Sequence, residues 1–434
     1  MIENAPKLKE IGKVVPLIYE LQNQPILKEC NDAYLFWDKV KYKKSHLDPE
    51  QLWNIVKWNR RVNSSPIFFG SHQFDYVITD YIQKTLHHFD MNIGGNLGAK
   101  SIIPEEDKTR YMVSSIMEEA ISSSQIEGAN TTRKHAKAML RKETKPRTKS
   151  EQMIVNNYHT IKHITRNRHD KLTPESLLNL HELIAKQTLD DSKDEGCFRV
   201  DNSVHVVDHS KSEVVHTPPS FDQIDQLIKD LCDFFNNDND SDKFIHPIVK
   251  GIIIHFMIGW IHPFVDGNGR TARALFYWYL LKKGYWLTEY LSISKIIQDT
   301  KNQYEKAFVY TEIDENDLSY FLTYNLKVME KSFTALKKYI AQKQNDNLQI
   351  ANFVRIPKVN ERQAQLLKIV FDQPEVVFSI KEIENRLLVS NYTARTDLKG
   401  LVDLGFLEAI PVNKVKFNYV KSIEFDKLLN KYLT

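Results

Sequence analysis

Residues 247–281 read PIVKGIIIHFMIGWI, HPFVDGNGRTAR and ALFYWYLL in succession, and they set the reading of everything around them. Pro247 to Ile261 is apolar on almost every face, which predicts a helix buried in the middle of a bundle. Its longest apolar run, Gly251 to Trp260, is interrupted by His255 and falls well short of the roughly 20 residues a bilayer span requires. No membrane span is expected. The second apolar run, ALFYWYLL, predicts another packed helix. Between the two, His262 to Arg273 gathers glycines, a carboxylate, two arginines and a histidine.

These residue types suit a phosphate site. Gly267, Asn268 and Gly269 free the backbone to turn sharply, so that successive N–H groups can point into one concavity. A helix starting there adds its unpaired amides and the positive end of its dipole. Arg270 and Arg273, three apart on that helix, share a face and can clamp further phosphate oxygens. Asp266 is a hard oxygen ligand suited to Mg2+, which binds through one or two carboxylates together with substrate phosphates. His262 is the candidate to remove a proton from an attacking hydroxyl. A lone histidine would read as a core residue; the groups that follow it change that reading.

Working outward, helical spacing of apolar residues runs through most of the first 340 positions, so the body of the protein should be helical. Tyr34 to Trp58 is aromatic-rich and belongs to an N-terminal helical unit, with Asp48-Pro49 opening a helix. Ile93 to Ser101 reads as a loop. Helices are expected from Asp107 to Leu140, with a stop at Gly128–Asn130, and the basic run 141–150 reads as a solvated linker. Ser203 to Thr217, two Val-rich runs around a polar turn, reads as a β-hairpin. Leu318 to Lys343 should be the last long helix before a polar break, QKQNDNLQ. Beyond it, helices at Glu361–Phe371, Ser379–Leu388 and Asn391–Leu404 and a hairpin of Gly405–Ile410 with Lys414–Val420 form the winged helix-turn-helix layout.

Composition agrees with several globular units. The chain has 434 residues, 42% hydrophobic and 26% charged, enough for two to four domains at about 100 to 200 residues each. Its net charge of +3 excludes the broad basic field of a general nucleic-acid coat. Three scattered cysteines build neither a disulfide framework nor a zinc knuckle and fit a reducing cytosol, so a cytoplasmic location is expected. The N-terminal sequence does not read as a signal peptide. Gly94 to Ser101 comes within one residue of a P-loop, but Ala99 stands where glycine is required and no buried strand precedes it. No HExxH motif supports a zinc hydrolase.

HPFVDGNGRTAR matches every specified position of HPFx(D/E)GNGRxxR, and on it the chain resembles the Fic (Fido) family. Gly196-Cys-Phe-Arg199 looks like the G-x-(F/Y)-R that precedes the family's flap, the 203–217 hairpin sits where that flap should be, and Tyr304 resembles a tyrosine lining the nucleotide pocket. The resemblance implies a mainly α fold, a Fic helical bundle with a β-hairpin flap, plus the C-terminal winged helix. It implies a protein adenylyltransferase moving AMP from ATP to Ser, Thr or Tyr hydroxyls of target proteins and of the chain itself. On that reading His262 is the general base and Asp266 holds Mg2+. Gly267, Asn268 and Gly269 cradle the anion, Arg270 and Arg273 grip the phosphates, and Val206, Val207 and Tyr304 line the ATP site. The expected segments are 1–105 (N-terminal helical region), 106–343 (Fic core with an inhibitory helix at 111–128), 344–357 (linker) and 358–434 (winged helix).

Ser123-Ser-Ser-Gln-Ile-Glu127-Gly128 resembles the family's inhibitory pattern (S/T)xxxE(G/N). Ser123 and Glu127, four apart, share a helix face, and Glu127 would compete with the γ-phosphate for Arg273. Two alternatives stay open at this stage: removal of AMP by the same pocket, and a DNA-binding regulator. In the second, Asn391, Tyr392, Arg395 and Lys399 would face the major groove, with Lys414 and Lys416 on the wing. The charge balance over 358–434 gives DNA binding thin support, and the winged helix serves equally for protein contact or homodimerisation. His205 and His209 read as flap positions.

Overall fold

A computed structural model describes all residues except 1–2, 11, 13, 15–24, 95–107, 209–212, 238–243, 388, 414–415 and 434. The chain divides into two compact units, Met1–Leu336 and Lys337–Thr434. Both are mainly helical.

The first unit opens with α1 (Pro25–Asp32), α2 (Trp37–Val40) and α3 (Pro49–Val62). Asp48 caps α3 with a reciprocal capping box to Gln51, and Pro49 occupies the first turn, where its missing N–H costs nothing. Tyr34, Phe36, Trp37 and Trp53 form a buried aromatic cluster with Tyr320. Polar bonds hold these helices to the later chain: Arg60 donates to the Tyr320 hydroxyl at 2.9 Å, and Lys57 pairs with Asp314 at 2.7 Å. The N-terminal region is not purely helical as expected. An antiparallel hairpin, β1 (Ser65–Phe69) with β2 (His72–Tyr76), follows α3, turned by Gly70 at φ 56°. The signal was present in the two-residue Gly-Ser connection between alternating apolar positions.

Next come α4 (Asp80–Asn92), α5 (Lys108–Ile126), α6 (Arg133–Lys142), α7 (Lys149–Arg166) and α8 (Pro174–Ala185). The expected hairpin is present as β3 (Val206–Asp208) and β4 (Glu213–His216), with a register shift between Val206 and Val207. Then follow α9 (Ile224–Asn236), α10 (Pro247–Ile261), α11 (Asn268–Lys282), α12 (Ile293–Asp299), α13 (Lys301–Ile313) and α14 (Ser319–Val354). As its all-round apolarity requires, α10 is buried along nearly its whole length and packs against α11. The loop joining them, His262 to Gly267, is therefore carried by two buried helices packed against each other.

The polar run QKQNDNLQ does not break the last long helix; α14 continues through it to Val354. Polarity exposes a helix without ending it, and the run holds neither glycine nor proline. The division between the two units falls within this helix.

The second unit has α15 (Glu361–Asp372), β5 (Phe378–Ser379), α16 (Ile380–Leu387), α17 (Asn391–Asp403), β6 (Leu407–Pro411), β7 (Phe417–Lys421) and α18 (Phe425–Leu433). The strands form one antiparallel sheet in the order β5-β7-β6. Three helices and a hairpin were expected; β5 and α18 are additions. The core is built from Leu366, Leu367, Leu398, Leu401 and Phe406, all fully buried. Asn391, Tyr392, Arg395 and Lys399 are exposed on α17, and Lys416 is exposed near β7. Lys414, His209 and the near-P-loop from residue 95 on lie outside the described residues.

Among the described residues no helix is long and apolar enough to cross a membrane. All three cysteines are free.

Candidate active site

His262 ends α10 in the left-handed region, at φ 48° and ψ 56°. Histidine tolerates this conformation better than most residues, and here it swings the side chain out of the helix just where the loop begins. Its Nδ1 lies 3.1 Å from the Gly259 carbonyl. A carbonyl only accepts, so Nδ1 carries the proton and Nε2 keeps a free lone pair. Burial pushes the imidazole down to about 4, so it is neutral across the physiological range.

The backbone behind it is held by Arg199, which donates Nε to the His262 carbonyl at 3.0 Å, while the Arg199 amide donates to Pro263. The Gly196–Arg199 segment thus serves as a brace for the loop. The sequence marked these residues as a motif; what they hold becomes visible only in three dimensions.

The loop itself is closed by Asn268. Its Oδ1 accepts from the Phe264 amide at 3.0 Å and its Nδ2 donates to the Phe264 carbonyl at 2.8 Å, so the side chain is spent on shape. Gly267, at φ 87°, caps α11 in a conformation that side-chain-bearing residues rarely adopt, and its amide donates to Asp266 Oδ1 at 2.5 Å. The Asp266 carboxylate is 52% exposed, with Oδ2 3.7 Å from Arg270 Nη2.

Arg270 and Arg273 are both buried. Arg270 Nη1 donates to the Ile184 carbonyl at 3.1 Å, while its Nε and Nη2 have no hydrogen-bond partner among the described residues. Arg273 donates Nε to Ser123 Oγ at 2.8 Å, and Nη2 to the Ser123 carbonyl at 3.0 Å and to Glu127 Oε1 at 2.8 Å. Its Nη1 has no hydrogen-bond partner among the described residues. Burial alone would raise the Glu127 carboxyl, but the Arg273 guanidinium holds it below its usual range. The same carboxylate lies over the start of α11: a Cβ built on Gly269 would stand 2.2 Å from Glu127 Oε1. Glu127 therefore lies against Gly269 as well as on the arginine.

How Glu127 comes to be there follows from the end of α5. The helix stops at Ile126, one residue before Glu127, rather than at 128 as expected. Gly128 takes φ 93°, its amide bonds the Gln125 carbonyl at 3.1 Å, and the Ala129 amide bonds Ser124 at 3.0 Å. This is a Schellman stop with glycine in the left-handed position. It turns the chain away and leaves the Glu127 side chain facing α11.

Tyr304 is buried against Phe308, Phe321 and Tyr324, and its hydroxyl lies 2.9 Å from His255 Nε2. Burial lowers His255 to about 3. Val206 and Val207 sit on the hairpin. His216 ties β4 to the rest, through Nε2 to the Trp260 carbonyl and Nδ1 to Glu312, both at 2.8 Å. Sequence reasoning missed His181, which contacts the loop from α8, and Lys301, which donates to the Ile126 carbonyl at 3.3 Å. Neither lies near the loop in sequence, and neither falls in a motif.

Residues 171–280 match the Fic/DOC family. The chain carries a Fic/DOC family domain. The chain resembles protein adenylyltransferase fic-1 of Caenorhabditis elegans, 38% identical over 69 residues, which are 16% of this chain and 13% of that protein. It also resembles protein adenylyltransferase Fic of Drosophila melanogaster, 36% identical over 70 residues, 16% of this chain and 14% of that one. The matches span about an eighth of the length of these relatives. The fold is similar to that of a Fic family protein from Desulfovibrio desulfuricans, with a TM-score of 0.50 at 19% identity, over 79% of this chain and 94% of that one.

Proposed function

We propose that this Fic domain transfers AMP from ATP to a protein hydroxyl and that Glu127 holds it in a slow state. The observation that carries the reading is the set of buried guanidinium donors with no hydrogen-bond partner among the described residues, Arg270 Nε and Nη2 and Arg273 Nη1, beside the start of α11. Buried charged donors left unpaired are costly, and a polyanion such as a triphosphate would satisfy them. The likeness to proteins named adenylyltransferases supports the choice of nucleotide.

In this reaction the target hydroxyl oxygen attacks the α-phosphorus, the bond from that phosphorus to the β-phosphate oxygen breaks, and pyrophosphate leaves. The hydroxyl proton goes to Nε2 of His262, the nitrogen left free by the Gly259 contact. Arg270 and the cradle hold the phosphates, and Arg273 takes the γ-phosphate once Glu127 withdraws. Asp266 fits one Mg2+ shared with substrate, because its carboxylate is half-exposed beside the cradle. No cluster of three or more ligating side chains exists among the described residues. Bound there, Mg2+ would neutralise phosphate charge. The hairpin edge, with Val207 exposed, would align a target segment by strand addition.

The test is mass spectrometry after incubation with ATP and Mg2+, alone and with cell lysate. Glu127→Gly should add AMP to itself or to lysate proteins, wild type slowly, and Glu127→Gly with His262→Ala not at all. Removing one charge-assisted bond of roughly 1.5–3 kcal/mol corresponds to about a 10- to 100-fold gain in rate. Absence of any AMP adduct with Glu127→Gly would sink the reading.

A further inference from the structure

We propose that His181 is a positioning residue for the phosphate loop, fixing the direction in which the Gly267 amide points. His181 lies on α8 and is fully buried. Its Nδ1 accepts from the Gly196 amide at 3.1 Å, and its Nε2 lies 2.8 Å from the Asp266 carbonyl. An amide N–H can only donate and a carbonyl can only accept, so the two contacts admit one form of the ring: neutral, with the proton on Nε2. Burial agrees, pushing the group down to about 4.

The consequence runs through one peptide plane. Asp266 and Gly267 are joined by a trans peptide, in which the carbonyl and the following N–H point in opposite directions. With the Asp266 carbonyl held towards α8, the Gly267 N–H faces the other way, where Asp266 Oδ1 receives it. The ring is also a wedge. It stacks on Phe264 at 3.7 Å and 3°, and a Cβ on Gly267 would stand 3.1 Å from Nε2. The other end of its hydrogen-bond chain, Gly196, begins the segment whose Arg199 braces His262. One imidazole thereby sets the registration of the anion cradle and of the proposed base, while the carbonyl of Ile184, also on α8, holds Arg270.

The inference rests on the adenylyl-transfer reading only for its effect on rate, and the experiment separates the two. In the Glu127→Gly protein, His181→Gln keeps a side-chain N–H near the Nε2 position, His181→Asn reaches only towards Gly196, and His181→Phe keeps the stacked ring without either bond. Selective 15N-glycine labelling reduces the amide spectrum to the chain's 14 glycines, Gly196 and Gly267 among them, plus the one introduced at position 127. The Gly267 signal should move in His181→Phe and His181→Asn and stay near its parent position in His181→Gln. The ratio kcat/KM for ATP should fall about tenfold or more in the first two, chiefly through kcat, and recover in His181→Gln, with thermal midpoints close to the parent. An unmoved Gly267 signal in His181→Phe overturns the proposal whether or not AMP is transferred. So does a His181→Gln protein no better than His181→Phe, or a loss of rate that merely follows thermal stability. A parent that transfers no AMP overturns the functional reading, and the Gly267 signal then decides the role of His181.

Discussion

Glu127 stands at the wrong end of one helix and the right end of another. A carboxylate just past the C-terminus of α5 meets the negative end of that dipole, while the start of α11 and Arg273 offer it positive charge. On the proposed adenylyl-transfer reading, an incoming phosphate would use the second set of interactions without suffering the first, and nucleotide would compete with Glu127 for its place. The same carboxylate's charge raises the His262 imidazole slightly against the larger effect of burial, which brings it to about 4. Removing Glu127 takes that support away. For Glu127→Gly, kcat/KM with Mg-ATP should therefore be flat from pH 8 to about 5.5 and fall only at more acid pH, because the free base stays unprotonated until then. A limb near pH 6.5 would mean a solvated histidine and would contradict the buried geometry. At this scale the sequence was informative where partners are close in the chain. His262, Asp266, Arg270 and Arg273 were legible together because one turn and one helix carry them. His181 was not: LLNLHELI reads as an ordinary helix face, and the loop it touches is 85 positions away.

Elements tell the same story through their ends. The glycine in (S/T)xxxE(G/N) has a physical reason, since only a residue at ease at φ 93° stops α5 so that Glu127 reaches Arg273. A Cβ at Gly128 meets nothing within 4 Å, so Gly128→Ala introduces backbone strain alone. That strain is about 1 kcal/mol, and it should loosen the α5 stop and raise the basal rate of AMP transfer severalfold over wild type with the fold intact. Initial rates with α-phosphate-labelled ATP, beside circular dichroism, check this; an unchanged or lowered rate refutes it. The errors of the sequence reading also lie at ends. The α14 helix ran on because exposure and termination are different properties. The hairpin β1–β2 was missed because it follows closely on the aromatic-rich helices of 34–58, whose pattern dominated the N-terminal reading.

Across the whole first unit the histidines themselves become a stability term. Burial lowers His181 and His262 to about 4 and His255 to about 3. Each is depressed below the unfolded value near 6.5, so each contributes stability that is complete above about pH 6.5. That stability is lost as pH falls towards the folded value, because the unfolded chain takes up the proton first. At pH 5 the loss is about 2 kcal/mol per histidine. Glu119, Glu289 and Asp317, raised by burial, act in the opposite sense as pH falls, so the bare slope does not isolate the histidines. A variant does. His255 sits among Phe276, Tyr304 and Phe321, and its Nδ1 has no partner among the described residues, so phenylalanine suits the site at the cost of the bond to Tyr304. All 6 tryptophans, from Trp37 to Trp286, lie in the first unit, so their fluorescence in urea reports that unit. Between pH 7 and pH 5 wild type should lose about 2 kcal/mol more than His255→Phe. Equal losses would show that His255 is hydrated and free to protonate in the folded protein, contrary to its burial in the aromatic core around α10.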